Sequence, residues 1–315
     1  MIRIFECFAG YGTATFGLKE EGIEHELVGF SDILPSAEKC FKQNHGGHNY
    51  GDITKIKWEE VPDFDLLTGG FPCQAFSLTG KQLGEADYRG QLGLELTKAL
   101  KVKQPKYFLF ENVRGFLSQK FNDFGARLVS SWIDAGYRVD YRLLNTSDYG
   151  VPQLRPRVWF VGIRKDLPER YFKWPEPQEL HLTVGNLLEP IVDEKYFLPE
   201  KKINKAYENL AKANKESAFF TMPMRESFVC KTLTCSGEKI IQVNGRYRYL
   251  TPKEHFRLQG FLRDQIDLTG ITEREAYKLA GNGQSLNVVQ LLFRELLKEE
   301  KRTKREEKPT GDVNA

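Results

Sequence analysis

Residues 64–74 limit most strongly what this chain can become. Phe64-Asp65-Leu66-Leu67-Thr68 is a largely apolar run that ends in Gly69-Gly70, and Phe71-Pro72-Cys73-Gln74 follows. A short apolar run closed by glycines reads as a buried strand; the glycines let the backbone turn sharply and Pro72 stiffens the exit. Cys73 is thereby expected at the carboxyl end of a strand, where open α/β sheets carry their chemistry. A thiol in that place is a nucleophile or a small apolar filler, and for a lone cysteine the filler is the commoner outcome. The rest of the chain has to decide between them.

The same unit opens the chain. Ile2 to Phe8 reads as a strand, Ala9-Gly10-Tyr11-Gly12-Thr13 as a glycine-rich turn, and a helix runs on to about Glu21. Such a turn lets the backbone approach a ligand and leaves helix amides pointing at it. Two glycines alone fit an ordinary βα turn equally well. A second strand, Glu26 to Phe30, ends at Ser31-Asp32. Asp32 suits a ribose hydroxyl pair, or the capping of a helix that begins near Pro35. Gly51-Asp52-Ile53 offers one acceptor and one apolar wall, as an adenine would need.

Beyond Cys73, residues 74–90 are polar and glycine-punctuated, with Lys81, Asp87 and Arg89, and read as a functional lid. A helix is expected over 91–102 and a strand from Lys106 to Phe110, which ends at Glu111. A carboxylate therefore arrives at the same sheet edge as the thiol. A helix over 122–135 and strands over 137–145 and 157–163 follow. Between those strands, Arg155 and Arg157 stand two apart on an extended segment and point the same way.

From Trp174 to about Arg225 the strand–helix alternation stops, and lysines and prolines take over. Residues 230–249 read as a β-ribbon turning at Asn244-Gly245. Thr251-Pro252-Lys253-Glu254 opens a helix, and Gly281-Asn282-Gly283-Gln284-Ser285 forms a further glycine-rich turn into a helix over 286–300. The expected division is a catalytic domain over 1–172, completed by 276–300, a small second domain over 173–275, and a disordered charged tail over 301–315.

Length and composition permit this plan. The chain has 315 residues, 40% hydrophobic and 28% charged, enough for one large or two smaller globular domains. A net charge of +3 does not by itself call for nucleic acid, though local basic faces remain open. The five cysteines, Cys7, Cys40, Cys73, Cys230 and Cys235, form no paired framework, which argues for free thiols in a reducing cytoplasm. The amino-terminal segment is too quickly polar for a signal peptide, and no apolar run approaches the ~18 residues that span a bilayer.

These elements, in this order, resemble the DNA (cytosine-5)-methyltransferase family of bacterial or phage type. Phe8-Ala9-Gly10-Tyr11-Gly12 resembles its first motif and Gly70-Phe71-Pro72-Cys73-Gln74-Ala75-Phe76-Ser77 its catalytic fourth. Glu111-Asn112-Val113 resembles the sixth and Gln153-Leu154-Arg155-Pro156-Arg157 the eighth. Residues 250–261 resemble the ninth, and Gly281-Asn282-Gly283 opens the tenth. The resemblance implies an α/β fold: a mostly parallel Rossmann-like sheet flanked by helices, plus a small target-recognition domain. It implies S-adenosylmethionine as cofactor, no metal, and double-stranded DNA in the cleft.

The chemistry agrees. Carbon 5 of cytosine is too electron-poor to take a methyl group unaided, and a thiolate added at carbon 6 turns it into a nucleophile. Density then builds toward ring nitrogen 3, where Glu111 with a pKa raised by burial would donate, while Arg157, supported by Arg155, meets the exocyclic oxygen. The base must be flipped out of the duplex to be reached.

By resemblance the cofactor contacts are Phe8, Gly10, Gly12, Asp32, Ile33, Asp52, Ile53, Gly70, Pro72, Leu92, Asn282 and Ser285. The DNA contacts are Thr79, Lys81, Arg89, Thr232, Leu233, Ser236 and Gly237. Three departures stand out. Ala14 replaces an aromatic of many relatives, Ile33 a tryptophan of some, and the tenth motif reads Gly-Asn-Gly-Gln-Ser. A monomer suits docking on one base, and a cognate restriction endonuclease could share the DNA site without touching this chain. A tRNA cytosine-5 methyltransferase of the same fold and a non-catalytic regulatory relative are the alternatives. Phe76-Ser77 and the absence of a Cys-Phe-Thr motif argue against the first, and the presence of Cys73, Glu111 and Arg157 against the second.

Overall fold

The computed structural model describes residues 1–71, 88–119, 122–204, 208, 224–226, 228–235, 239–298 and 300, with 88–91 and 122 described by backbone alone. Pro72, Cys73, Thr79, Lys81, Ser236, Gly237 and the 301–315 tail lie outside the described residues, as does the side chain of Arg89.

The amino-terminal half alternates strand and helix as the sequence predicts. β1 (Ile2–Cys7), α1 (Thr13–Glu20), β2 (His25–Ser31), α2 (Pro35–His45), β3 (Leu66–Gly70), α3 (Tyr88–Lys103), β4 (Tyr107–Val113), α4 (Asn122–Asp134) and β5 (Tyr137–Asn145) follow one another. β6 (Gln153–Leu154) and β7 (Pro156–Arg164) complete this part. Six strands form one sheet in the order β2-β1-β3-β4-β7-β5. β1 to β4 pair in parallel, and only β7 runs against its neighbours β4 and β5. The carboxyl ends of the parallel strands therefore share one edge, and β7 begins there. The central strands read as near-continuous apolar runs because both faces are covered. One face packs Phe5, Leu67, Phe108, Phe110 and Phe160 against Leu96, Leu128 and Trp132 of the α3–α4 side. The other packs Ile4, Leu66, Leu109 and Val161 against Leu18, Val289, Leu292 and Phe293.

The last helix on that second face is α7. In the carboxyl-terminal half come β8 (Met224–Arg225), β9 (Cys230–Lys231), β10 (Ile240–Val243), β11 (Arg246–Tyr249), α5 (Pro252–Leu258), α6 (Glu273–Asn282) and α7 (Leu286–Leu296). The β10–β11 hairpin turns at Asn244 (φ 49°) and Gly245 (φ 77°), the paired left-handed conformation that an Asn-Gly turn supplies. β8, β10 and β11 form a small sheet, and β9 pairs in parallel with β6, tying the recognition region to the large sheet. A small core joins Val184, Leu187, Met224, Leu233, Ile241, Leu250 and Leu258. Further along, Phe256, Phe261, Ala276 and Leu279 share a core with Tyr11, Phe16, Ala37 and Cys40 of the first half.

Two expectations shift. α6 runs through Gly281 and Asn282, so the anticipated glycine turn shrinks to residues 283–285. Gly283 is required there because a Cβ would come within 2.1 Å of the Tyr11 ring. α7 is continuous to Leu296; a turn at buried Leu297 interrupts it, and residues 298 and 300 are again helical.

Candidate active site at the strand tips

β3 and β4 pair so that Gly70 stands opposite Glu111. A Cβ at position 70 would meet Glu111 Oε2 at 3.1 Å and Gln284 Nε2 at 3.2 Å, so glycine leaves room for both polar groups. Beyond Gly70, buried Phe71 is held by Asn112, whose Nδ2 donates to the Phe71 carbonyl at 3.4 Å. The chain is thus fixed up to two residues before Cys73. Antiparallel pairing puts Arg157 opposite Val113, diagonal to Glu111, and its Nε lies 2.8 Å from Glu111 Oε1. That contact is out of line for a hydrogen bond and leaves Oε1 without a hydrogen-bond donor among the described residues. Burial raises the Glu111 carboxyl above its ordinary range, and the opposing charges of Arg157 and Arg155 offset this only in part.

Arg155 does not run beside Arg157. Its buried guanidinium donates to the carbonyls of Gly283 at 2.6 Å, Gly281 at 3.1 Å and Leu233 at 3.4 Å. It binds β6–β7, the recognition region and the end of α6 together, with its charge still felt at Glu111. Both arginines thus act on Glu111, Arg157 in direct contact and Arg155 from its seat on these three carbonyls.

On the cofactor side, the turn after β1 is built from left-handed residues: Phe8 (φ 52°), Gly10 (φ 58°) and Gly12 (φ 82°). For a phenylalanine that conformation is strained, and such strain persists only where the surroundings enforce it. The Gly10 amide donates to Asp32 Oδ2 at 2.9 Å, and Asp32 Oδ1 accepts from the Leu34 amide at 2.9 Å. Asp32 is thus held at the tip of β2 by two backbone amides, while Leu34 is the N-cap of α2. No atom lies within 4 Å of where a Cβ on Gly10 would stand, and Ile33 is 72% exposed. An open backbone face beside a bare apolar side chain, with a carboxylate between, fits an adenosyl group.

Other predicted residues fall elsewhere. Ile53 is buried against Phe5 and Trp58 in the core, and Leu92 lies in the same cluster. Asp52 caps the turn at Thr54, accepting from its amide at 3.0 Å and its hydroxyl at 2.8 Å. Ser285 is buried, sharing its hydroxyl with Thr146 at 2.7 Å and donating to Gln259 Oε1 at 3.1 Å. Asn282 stays exposed and accepts from Cys235 Sγ at 2.8 Å. Thr232 donates to the Leu154 carbonyl at 2.6 Å. Leu233 has its side chain buried in the small core, and its amide donates to Gln153 Oε1 at 3.1 Å.

Sequence reasoning passed over four residues beside the site. Glu6 is a buried carboxyl on β1 that accepts from the Thr15 amide at 2.9 Å; burial pushes it up to about 7. A carboxylate between apolar residues near the end of Ile2–Cys7 was the available signal. Tyr11 donates to the Gln284 carbonyl at 2.8 Å, and Gln284 itself reaches Gly70. His45, at the end of α2, packs beside Gly12. None of these three carries a signal at the level of spacing.

Residues 2–298 match the family model for C-5 cytosine-specific DNA methylases. An orphan methyltransferase, M.Rho11sI of Bacillus phage rho11s, is 35% identical over 250 residues, 70% of this chain and 50% of its own length. The match thus spans about half of that relative. The type II methyltransferase M1.ScrFI of Lactococcus lactis subsp. cremoris is 34% identical over 307 residues, 94% of this chain and 78% of its own. Among solved structures, S. pombe Dnmt2 methyltransferase superposes with a TM-score of 0.74 at 22% identity, covering 95% of this chain and 99% of that one, a likeness of fold. No helix among the described residues is long and apolar enough to cross a membrane.

Proposed function

The chain belongs to the C-5 cytosine-specific DNA methylase family, and on that premise we propose that it transfers a methyl group from S-adenosylmethionine to carbon 5 of a flipped-out cytosine in duplex DNA. One observation carries the reading. Glu111 and Arg157 meet at the strand edge where Gly70 leads directly into Phe71-Pro72-Cys73. A buried acid whose proton is held above the ordinary carboxylate range suits donation to a ring nitrogen.

S-adenosylmethionine would supply an electrophilic methyl group on sulfur; Gly10, Gly12 and Asp32 would hold its adenosyl part, with Ile33 against the base. The protein's own groups do the rest. Cys73 as thiolate adds to carbon 6, and Glu111 delivers its proton to ring nitrogen 3 as the negative charge arrives there. Arg157 stabilises the same charge at the exocyclic oxygen. Carbon 5 takes the methyl group. Loss of the carbon 5 proton to a water acting as base and departure of the Cys73 sulfur as thiolate, with the nitrogen 3 proton returning to Glu111, then restore the aromatic ring and the enzyme. Gln284 closes the floor of the site beside Gly70.

The DNA site read by this chain, a monomeric state, and a restriction endonuclease acting on the same site belong to this proposal as well. The type II label of M1.ScrFI supports the last. Incubation with tritiated S-adenosylmethionine and unmethylated duplex DNA should label cytosine, and Cys73→Ala should abolish the label. Bisulfite sequencing of DNA from cells expressing the chain should show one short methylated site. Label in tRNA and none in DNA would replace the substrate, and near-normal turnover by Cys73→Ala would remove the nucleophile.

A further inference from the structure

We propose that His45 is a positioning residue for the cofactor turn, holding the Tyr11 carbonyl so that Gly10-Tyr11-Gly12 keeps the left-handed path against which S-adenosylmethionine lies. The inference rests on the functional reading above and adds a residue to it. His45 Nε2 lies 3.2 Å from the Tyr11 carbonyl oxygen. On the far side of the ring, Lys19 Nζ lies 3.0 Å from Nδ1 and also donates to the Asn44 carbonyl at 3.0 Å. An ammonium has donors only, so Nδ1 must be the acceptor and the ring proton must sit on Nε2, aimed at Tyr11. Lys19 thereby fixes the tautomer that the turn needs.

Packing fixes the ring itself. It stands edge-on to Phe16 at 4.4 Å and Phe41 at 4.9 Å between centroids. Its Cδ2 and Nε2 lie 2.5 Å from where a Cβ on Gly12 would stand, so the glycine at position 12 makes room for this imidazole. Burial and the charge of Lys19 hold His45 down at about 3, so the ring stays neutral at working pH. The Tyr11 side chain runs the other way, with its hydroxyl on the Gln284 carbonyl and its ring against Phe256 and Phe261. Tyr11 is therefore held at its carbonyl by α2 and at its hydroxyl by the segment before α7. The carbonyl tether is the one that acts on the glycines.

The test is a calorimetric titration of the full chain with S-adenosylhomocysteine, alongside steady-state kinetics. His45→Phe keeps an aromatic ring between Phe16 and Phe41 but loses the donor. It should bind about tenfold more weakly, the effect of one well-placed hydrogen bond, and His45→Gln, whose amide nitrogen reaches the place of Nε2, should recover most of that loss. In kinetics the loss should fall on KM for the cofactor, with kcat and KM for DNA changing less than twofold, and the ligand-free melting temperature should stay within a few degrees. Wild-type affinity in His45→Phe overturns the proposal. So does equal weakness in His45→Gln, or a parallel loss in kcat and DNA affinity. A wild-type chain that binds no S-adenosylhomocysteine overturns the functional reading as well, which separates the two failures.

Discussion

Two buried glutamate–arginine pairs in this molecule use the same chemistry to opposite ends. In the recognition region, Arg248 and Glu254 are 2% and 1% exposed. Arg248 grips the carboxylate with both terminal nitrogens, at 2.8 and 2.6 Å. The amides of Thr251 and Glu189 add donors at 2.8 and 2.9 Å. Glu254 thus accepts four hydrogen bonds, and the pair welds the β10–β11 hairpin to the capped start of α5. At the sheet edge, Glu111 has one arginine beside it at 2.8 Å, out of line, and an oxygen with no hydrogen-bond donor among the described residues. A buried carboxylate this poorly supplied is costly to keep charged. The carboxyl-terminal half satisfies its ion pair completely; the sheet edge leaves its own incomplete, as the proposed proton donation by Glu111 requires.

The sharpest way to break this contrast is to replace each glutamate by its amide. Glu111→Gln keeps the volume and loses the transferable proton, and methyl transfer should fall by about 10²–10⁴-fold, the usual worth of general acid catalysis. Its melting temperature should hold or rise, since an uncharged amide is easier to bury than a poorly satisfied carboxylate. Glu254→Gln should do the reverse. Arg248 would be left buried without its counter-charge, a loss of about 3–5 kcal/mol in stability by chemical denaturation, while folded enzyme keeps its methyl-transfer step. If Glu254→Gln proves silent in stability, or Glu111→Gln silent in rate, the two pairs are not distinguished by their satisfaction. Arg157→Met comes next, at about 10²–10³-fold in kcat if it stabilises charge on the base, measured by single-turnover labelling. A change confined to KM for DNA would instead make it a binding residue.

The same contrast explains what could be read from the chain and what could not. β1 to β5 and β7 were legible because runs of strand length alternate with helical stretches, with Gly69-Gly70 closing β3. The Asn244-Gly245 hairpin was legible because that dipeptide is among the few that readily take two left-handed residues in succession. Glu111 and Arg157 were legible as strand-tip residues, since strand ends put side chains where the sheet opens. The hydrogen bonds of Arg155 were not legible because its partners are backbone carbonyls from residues 233, 281 and 283, and a backbone acceptor leaves no trace in residue identity. The burial of Leu233, Ile53 and Ser285 was not legible for a related reason. Burial depends on which element covers a residue from a distant part of the chain, and a motif does not encode the cover. His45 was missed because its role rests on a glycine 33 positions earlier and on a lysine that sets its tautomer.

The smallest expected effect is a dependence on pH, and it tests whether Glu111 is held protonated by its surroundings. Its carboxyl is raised above the ordinary glutamate value by burial. In the window between the ordinary value and the raised one, the folded chain binds this proton and the unfolded chain does not. Stability therefore falls as pH rises through that window, and Glu111→Gln should flatten this part of the stability profile. Activity should follow the same proton: kcat declines on the alkaline side as Glu111 ionises, along a limb above the usual carboxylate range. Removing the Arg157 charge takes away a group that favours the ionised form, so the residual activity of Arg157→Met should hold to higher pH than wild type. A limb that stays in place in Arg157→Met assigns the proton to another group and leaves Glu111 as an ordinary partner of its arginine, much as Glu254 is of Arg248.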